Sequence, residues 1–398
     1  MGVSYTACFP AVTTDAMRIA LFSEVYWPMV SGVAVTLRRL ADSLTARGHE
    51  VRVYSATYQL PAGCEDRPEA RRSRSVPLFL YPDVQWAFPR FGELLEDVTA
   101  FRPDIVHVAT EFSMGLAGAK IARRLGVPLV ASAHTNYDQY AGRYGMDWLV
   151  RPGWHYLRWF YGHADVVLCP SRFYQGYLEE RGIGRTALWT RGVDTDTFSP
   201  RHRDASYRSA LDVGPDDLLV TYVGRIAREK NLDLLLDAWS ALGDRRRGAR
   251  LALVGRGPLA EPIRRRSIPG VHVVGLLEGQ ALSAAYASAD LFVFPSTTET
   301  FGNVLAEAMA SGLPSVAANA GGVVEFARHG ENAWLVAPGS ADALAAGLDR
   351  LLGDAALRRR LAAAALRTAA ERRWDAIDDR LIEDYRRVAG RKSLVRAA

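Results

Sequence analysis

From residue 17 onward the hydrophobic pattern of the chain switches back and forth between two periods, and that alternation narrows the possible folds more than any other feature. Arg18–Ser23 (RIALFS) is a short apolar run that reads as a buried strand. Leu37, Leu40, Ala41 and Leu44 then recur at helical spacing, Gly48 stops the helix, and Glu50–Ser55 (EVRVYS) is the next strand. Strand, helix, glycine, strand is a βαβ unit, which requires parallel pairing through a right-handed crossover. The same order returns with a strand at Asp104–Ala109, a helix at Gly115–Leu125 ended by Gly126, and strands at Pro128–Ala133 and Asp165–Pro170. Tyr58–Arg74, with four Arg against three acids, reads as a solvated loop.

Around Gly192–Arg203 (GVDTDTFSPRHR) the apolar pattern gives way to turn formers, which marks a linker. A second series follows: strands at Leu219–Val223, Arg250–Val254, Val271–Val274, Leu291–Pro295, Pro314–Ala317 and Ala333–Val336. Helices are predicted at Asn231–Leu242, Pro258–Arg266 and from Asn303. The tail from Ala341 to Val388 is helical and rich in Ala, Leu and Arg. A chain of 398 residues, at about 150 per domain, accommodates two such domains, placed at 17–195 and 196–374 with a final helix at 375–398. Residues 1–16 are expected to be a disordered extension or to follow an upstream start codon. Ligands of doubly wound sheets sit at the carboxyl ends of strands, so an inter-domain cleft is expected.

The 49 basic side chains are 46 Arg and 3 Lys (Lys120, Lys230 and Lys392), and the net charge is +5. Residues 1–196 carry 21 basic and 20 acidic groups and residues 197–398 carry 28 and 24, so neither half has the field of a nucleic-acid binder. Cys8, Cys64 and Cys169 show no CxxC spacing, which suggests neither a disulfide framework nor a zinc site. A reducing cytoplasm is the default. No uncharged apolar run reaches the ~18–20 residues that span a bilayer. The first 16 residues make a poor signal peptide; they fit M-G-x-x-x-[ST] through Gly2 and Thr6, a pattern that arises easily by chance.

Two segments at strand ends carry the chemistry. In Phe292–Ala310 (FVFPSTTETFGNVLAEAMA) a strand ends at Pro295-Ser296, a polar turn holds Glu299, and a helix begins near Gly302-Asn303 with Glu307 in its second turn. Free N–H groups of that first turn favour a phosphate, and the two carboxylates can bracket a ligand from loop and helix. Taken alone, Glu299 also reads as a helix-entry carboxylate and Glu307 as a surface residue. In Val223–Asn231 (VGRIAREKN), Arg225 and Lys230 can both reach a diphosphate, and Glu229 can partly neutralise them. In a chain with 46 Arg and 3 Lys, a lysine in a glycine-led loop stands out.

Glu299-x7-Glu307 with TFG between, GRIAREKN upstream and SGVAVTL (Ser31–Leu37) after the first strand resemble the retaining glycosyltransferases of the GT-B fold, family 4. Order and spacing fit over nearly the whole chain from Met17. Ala109–Tyr140 is similar to the bacterial GDP-mannose-dependent α-mannosyltransferases of glycolipid synthesis and to sulfoquinovosyl-diacylglycerol synthases. The resemblance implies two Rossmann-like α/β domains, the first binding acceptor and the second nucleotide sugar, with a C-terminal helix crossing back to the first. It places the loop containing Gly32 over the donor phosphates and assigns Arg225 and Lys230 to the diphosphate leaving group. Glu299 would bind hydroxyls of the transferred sugar and Glu307 those of the ribose. The N–H groups of Phe301, Gly302 and Asn303 would meet phosphate or sugar. His134 would sit near the anomeric centre, and Gly255 and Gly275 would line the nucleotide pocket. A front-face mechanism is implied, in which the leaving phosphate takes the acceptor's proton; Glu299 is not cast as a nucleophile.

The expected enzyme is therefore a hexosyltransferase using a nucleotide diphosphate sugar, GDP-mannose first and a UDP-sugar as the alternative. Its acceptor would be a hydroxyl, on a membrane glycolipid by resemblance rather than by charge. No cofactor, essential metal or nucleic-acid partner is expected. Localisation is read as cytoplasmic, with peripheral contact at the inner face of the plasma membrane if the acceptor is a lipid. From another class, Gly255-Arg-Gly257-Pro-Leu-Ala260 fits G-x-G-x-x-A with Glu278 about 20 residues on, which keeps an NAD-dependent oxidoreductase open. Nothing supplies a hydride-transfer partner for it. Asp194-Thr-Asp196 looks like a DxD metal motif but lies in the linker, where Asx-turn chemistry is expected. A two-domain solute-binding protein would need export, for which there is no signal. The aromatic segment with Trp148, Trp154, Tyr156, Trp159, Phe160 and Tyr161 reads as a core helix interrupted at Pro152-Gly153, with an interfacial helix as the other reading.

Overall fold

The structure, a computed structural model, describes residues 16–29, 31–78, 81–136, 147–214, 216–246 and 248–397. The expectations for residues 1–15, including the Gly2/Thr6 pattern and Cys8, lie outside the described residues. Two parallel sheets organise the chain. The first contains β1 (Arg18–Ser23), β2 (Glu50–Ala56), β3 (Ala70–Ser73), β6 (Ile105–Val108), β7 (Leu129–Ser132), β8 (Val166–Cys169) and β9 (Thr186–Leu188), in the order β3-β2-β1-β6-β7-β8-β9. Between β3 and β6, β4 (Ser75–Leu78) and β5 (Tyr81–Ala87) form a separate antiparallel hairpin. The second contains β10 (Leu219–Val223), β11 (Arg250–Val254), β12 (Val271–Gly275), β13 (Leu291–Phe294), β14 (Ser315–Ala318) and β15 (Trp334–Val336), ordered β12-β11-β10-β13-β14-β15, with every pair parallel.

Each sheet starts in its interior, runs out to one edge, and returns to the other side of its first strand. The reversal in the second sheet falls between β10 and β13, and a crevice at the carboxyl ends of two such strands is where doubly wound sheets hold ligands. The segments singled out in the sequence, Arg225–Asn231 and Ser296–Asn303, are the connections that leave those two strands. β10, β11 and β13 are buried along their whole length save Arg250 at the start of β11, as strands of a parallel sheet covered on both faces are. Their core takes in Tyr222, Trp239, Tyr286, Phe292 and Phe294, all fully buried; burying a large apolar side chain contributes about 1.5–3 kcal/mol.

By compactness the chain divides into a unit of residues 1–132, 163–165 and 384–398 and a unit of residues 133–162 and 166–383, so the units do not follow the sheets strand for strand. The helical tail is three helices, Ala341–Gly353, Ala355–Ala370 and Trp374–Ala397. Asp354 caps the second by accepting from the Leu357 N–H at 2.9 Å. Within the first unit, the Tyr385 hydroxyl from the last helix lies 2.6 Å from Nδ1 of the fully buried His107, whose Nε2 is 2.9 Å from Ser132 Oγ. Tyr385→Phe should lower stability to urea by about 1–3 kcal/mol, the range for removing a buried hydrogen-bond partner; an unchanged midpoint would deny the contact any role.

Two expectations need correction. Tyr58–Arg74 is not loop throughout: Ala70–Ser73 adds a parallel edge strand beside β2. It escaped the hydrophobic pattern because an edge strand can carry charge. Arg72 uses its charge inward, donating to Ser55 Oγ at 2.7 Å and to the Trp27 carbonyl at 2.6 Å while pairing with Asp66. Pro152-Gly153 does not interrupt the aromatic segment, which is a helix over Val150–Gly162. Proline in a first turn breaks no hydrogen bond because that turn's N–H groups have no helical acceptor. Leu157, Phe160 and Tyr161 are buried, whereas Trp148 and Trp159 are 75% and 55% exposed, so the segment is only partly core.

Candidate functional site

The connection after β10 is shaped from within. Tyr222 donates its hydroxyl to the Arg225 carbonyl at 2.9 Å, and Asn231, left-handed at φ 55°, donates Nδ2 to the Pro295 carbonyl at 2.9 Å. That second bond ties the loop carrying Lys230 to the loop after β13. Lys230 Nζ consequently lies 2.5 Å from Glu299 Oε1, with both side chains largely buried. Ser296 Oγ donates to the same carboxylate oxygen at 2.7 Å. Glu299 Oε2 accepts no hydrogen bond among the described residues. Burial works to raise the Glu299 carboxyl, but the Lys230 charge and the hydrogen bonds from Lys230 and Ser296 outweigh it and hold it below the usual carboxylate range. Glu299 is thus an ionised acceptor with one oxygen committed and the other available to a hydroxyl.

Glu229, considered from sequence as a partial neutraliser, is fully buried with Oε1 3.9 Å from Arg225 Nε. Glu229 thus lies beside Arg225, as Glu299 lies beside Lys230. Arg225 and Lys230 therefore enter the site with different acidic neighbours.

The loop after Glu299 is clamped by a pair of glycines the sequence reading overlooked. The Gly322 N–H donates to the Glu299 carbonyl at 2.7 Å, and a Cβ on Gly322 would lie 2.2 Å from the Thr300 carbonyl oxygen. Gly302, at φ 101°, turns the chain into the helix Asn303–Ala310. The main-chain N–H groups of Phe301, Gly302 and Asn303 meet no hydrogen-bond acceptor among the described residues, and Asn303 Oδ1, which is buried, meets no donor among them. Three unused N–H donors at a helix start suit an anion. Phe301 itself is buried and stacks on Phe326 at 5.1 Å, so its contribution to a ligand is main-chain.

Glu307 follows one turn into that helix, where Tyr286 donates its hydroxyl to Oε2 at 2.8 Å. Burial pushes the Glu307 carboxyl up to about 7, against the opposing pull of the Tyr286 hydrogen bond. Glu299 and Glu307 accordingly hold their protons very differently at neutral pH, because Glu299 has Lys230 beside it, whereas no cation acts on Glu307 among the described residues.

His134 lies in the same unit as these loops. Its carbonyl accepts from Thr300 Oγ1 at 3.1 Å, and its Nδ1 faces Arg191 Nη2 at 3.0 Å. Gly32 opens a helix of the other unit, Gly32–Ala46, in which Ser31 Oγ accepts from the Ala34 N–H at 3.1 Å. Gly275 ends β12 at φ 100° with open space around its Cα.

The motif that kept a dinucleotide reading open has a packing cause. A Cβ on Gly255 would lie 1.9 Å from the Gly224 carbonyl oxygen, and one on Gly257 would lie 2.3 Å from that of Ile226. These glycines let the connections after β10 and β11 touch, with Ile226 N–H donating to the Arg256 carbonyl at 2.9 Å. Gly255 can still line a pocket at the strand ends. Asp194, of the DxD-like pair, accepts from the N–H groups of Asp196 and Thr197 at 2.9 and 3.0 Å, which is Asx-turn geometry. Among the described residues no cluster of His, Cys, Asp or Glu is arranged to hold a metal, and no helix is long and apolar enough to cross a membrane.

Residues 30–197 match Glycosyltransferase Family 4, and residues 217–354 match Glycosyl transferases group 1. The sulfoquinovosyl transferase of Arabidopsis thaliana is 35% identical, with 92% of this chain and 73% of the relative covered. A GDP-mannose-dependent alpha-mannosyltransferase of Mycolicibacterium smegmatis is also 35% identical, covering 95% of this chain and 99% of the relative. Among solved structures, the sucrose-phosphate synthase of Thermosynechococcus elongatus superposes with a TM-score of 0.75 at 23% identity, over 94% of this chain and 99% of that one. That last similarity bears on the fold, which is GT-B.

Proposed function

We propose that this chain, which belongs to glycosyltransferase family 4, moves mannose from GDP-mannose to a hydroxyl of a glycolipid acceptor, with retention of configuration. The observation that carries the reading is the Lys230–Glu299 pair at the switch point of the second sheet, beside three unused main-chain N–H groups. Lys230 and Arg225 neutralise a diphosphate as its bond to the sugar breaks, when its charge is greatest. Glu299 Oε2 accepts from hydroxyls of the transferred sugar, and Glu307 from the ribose. Glu299 does not act as nucleophile: its role is to orient the sugar while Lys230 remains within reach of the phosphates. In the transfer, the bond from C1 to the phosphate oxygen breaks, the acceptor oxygen bonds to C1 on the same face, and its proton passes to the departing phosphate.

Mannose and GDP are chosen because the M. smegmatis relative, matched over nearly its full length, bears that donor in its name. The Arabidopsis relative at the same identity keeps a different sugar in competition. Incubating the enzyme with GDP-mannose or UDP-sugars and bacterial lipid extract, then following labelled sugar into the organic phase, tests donor and acceptor together. Mannolipid formed from GDP-mannose alone supports the reading; transfer from a UDP-sugar alone overturns the donor.

The Glu307 carboxyl adds a pH dependence to donor binding. Its folded value of about 7 lies above its ordinary one, so below that pH it is protonated and must lose a proton to serve as a full acceptor for a ribose diol. GDP-mannose affinity should therefore rise as pH increases through 7, with a proton released on binding. Calorimetry in two buffers of different ionisation enthalpy detects that release, and Glu307→Gln should abolish it. A nucleotide sugar is the right probe because its diphosphate has no terminal ionisation in this range.

A further inference from the structure

Arg191 is a buried cation facing no carboxylate among the described residues. It is 4% exposed. Nη1 donates to the carbonyls of Trp189 at 2.6 Å and Thr190 at 3.2 Å, the guanidinium stacks 4.3 Å above the Trp189 ring, and Nη2 is 3.0 Å from His134 Nδ1. Burial draws its pKa down to about 9, so it remains charged at neutral pH. Besides the His134 ring, Cys169 acts on it electrostatically, and burial pushes that thiol up to about 12, so it is neutral. An unpaired buried charge is disfavoured by several kcal/mol, so its retention calls for a function.

A guanidinium has donors and no acceptor. A close contact with Nδ1 can form only if that nitrogen offers its lone pair, which requires a neutral ring with its proton on Nε2. The ring also packs edge-on against Trp189 at 5.7 Å and 70°, while Thr300 Oγ1 holds the His134 carbonyl beside the Glu299 loop. We propose that Arg191 is a positioning residue that locks His134 as the neutral Nε2–H tautomer, so that His134 reaches the substrate as a hydrogen-bond donor that neither accepts a proton nor carries charge. The benefit rests on the proposed transfer reaction with His134 near the anomeric centre: a protonated ring there would repel the positive charge that builds on the sugar carbon as the phosphate departs.

Imidazole 15N spectra of histidine-labelled protein, with the His134 signals assigned among eight histidines by His134→Gln, test the lock without substrate. The wild type should show a bare Nδ1 and a protonated Nε2 that do not change down to about pH 5.5. Arg191→Met should let both nitrogens exchange protons and titrate near ~6.5, the ordinary histidine value. At that value the neutral fraction drops about tenfold between pH 7.5 and 5.5. The variant's kcat at saturating donor should fall by the same factor while the wild type stays flat and the donor KM of the two remains similar. A wild-type His134 that titrates near its ordinary value overturns the lock, as does a variant with unchanged nitrogen shifts. If Arg191→Met does not fold, the wild-type spectrum alone decides the tautomer. Absence of transfer from any nucleotide sugar would count against the proposed reaction and leave the spectral result standing.

Discussion

Lys230→Ala should lower transfer by at least about a hundredfold, the scale seen when one preorganised donor to a developing anion is removed, while the circular dichroism of the folded protein stays unchanged. Two losses combine. The ammonium that meets the diphosphate disappears, and Glu299 keeps a largely buried carboxylate without the cation 2.5 Å away that ionises it. The Glu299 carboxyl then rises, because burial raises it and only the Ser296 hydrogen bond remains against that. Donor KM and kcat should both deteriorate. Arginine is a poor replacement: it is longer and planar, and cannot place a compact charge on one carboxylate oxygen. Lys230→Ala with near-wild-type turnover would remove Lys230 from the site.

Glu299→Gln is expected to act with opposite signs on two measurements. Transfer falls about a hundredfold, because a neutral amide gives the sugar hydroxyls a weaker acceptor than a carboxylate. Affinity for GDP, which lacks the transferred sugar, should stay level or rise, because Lys230 no longer divides its charge between Glu299 and the diphosphate. A purely structural role for Glu299 would predict weaker GDP binding together with slower transfer, so the sign of the GDP change separates the two.

The sequence revealed the architecture of the second sheet well. β10 and β11 fall on the predicted residues, and the helix at Asn303 starts where Gly302 requires it. Buried parallel strands and glycine-terminated helices leave strong periodic signals. β3 and the β4–β5 hairpin were not legible, since short strands carrying Arg and Pro have no clean period. At the site, Lys230 stood out as a rare lysine and Glu299 through the motif that resembles the family, but their direct pairing could not be read, because it depends on Asn231 tying one strand-end loop to the other. Tyr286 and Arg191 were missed for a related reason: each meets its partner across sequence separations of 21 and 57 residues. The Gly321-Gly322 step was detectable, since adjacent glycines often mark a close backbone approach, and here the Glu299–Thr300 turn requires it.

Calorimetric titration of GDP, UDP and NAD into the wild type and Lys230→Ala tests the central claim most directly. The wild type should bind a nucleoside diphosphate, GDP more tightly than UDP, and show no heat with NAD; Lys230→Ala should weaken the diphosphate by about tenfold or more, as expected for a charge-assisted contact worth 1.5–3 kcal/mol. Tight NAD binding without nucleoside diphosphate binding, or equal GDP affinity in both proteins, would contradict the assignment of Lys230 and its strand-end loop to the donor diphosphate.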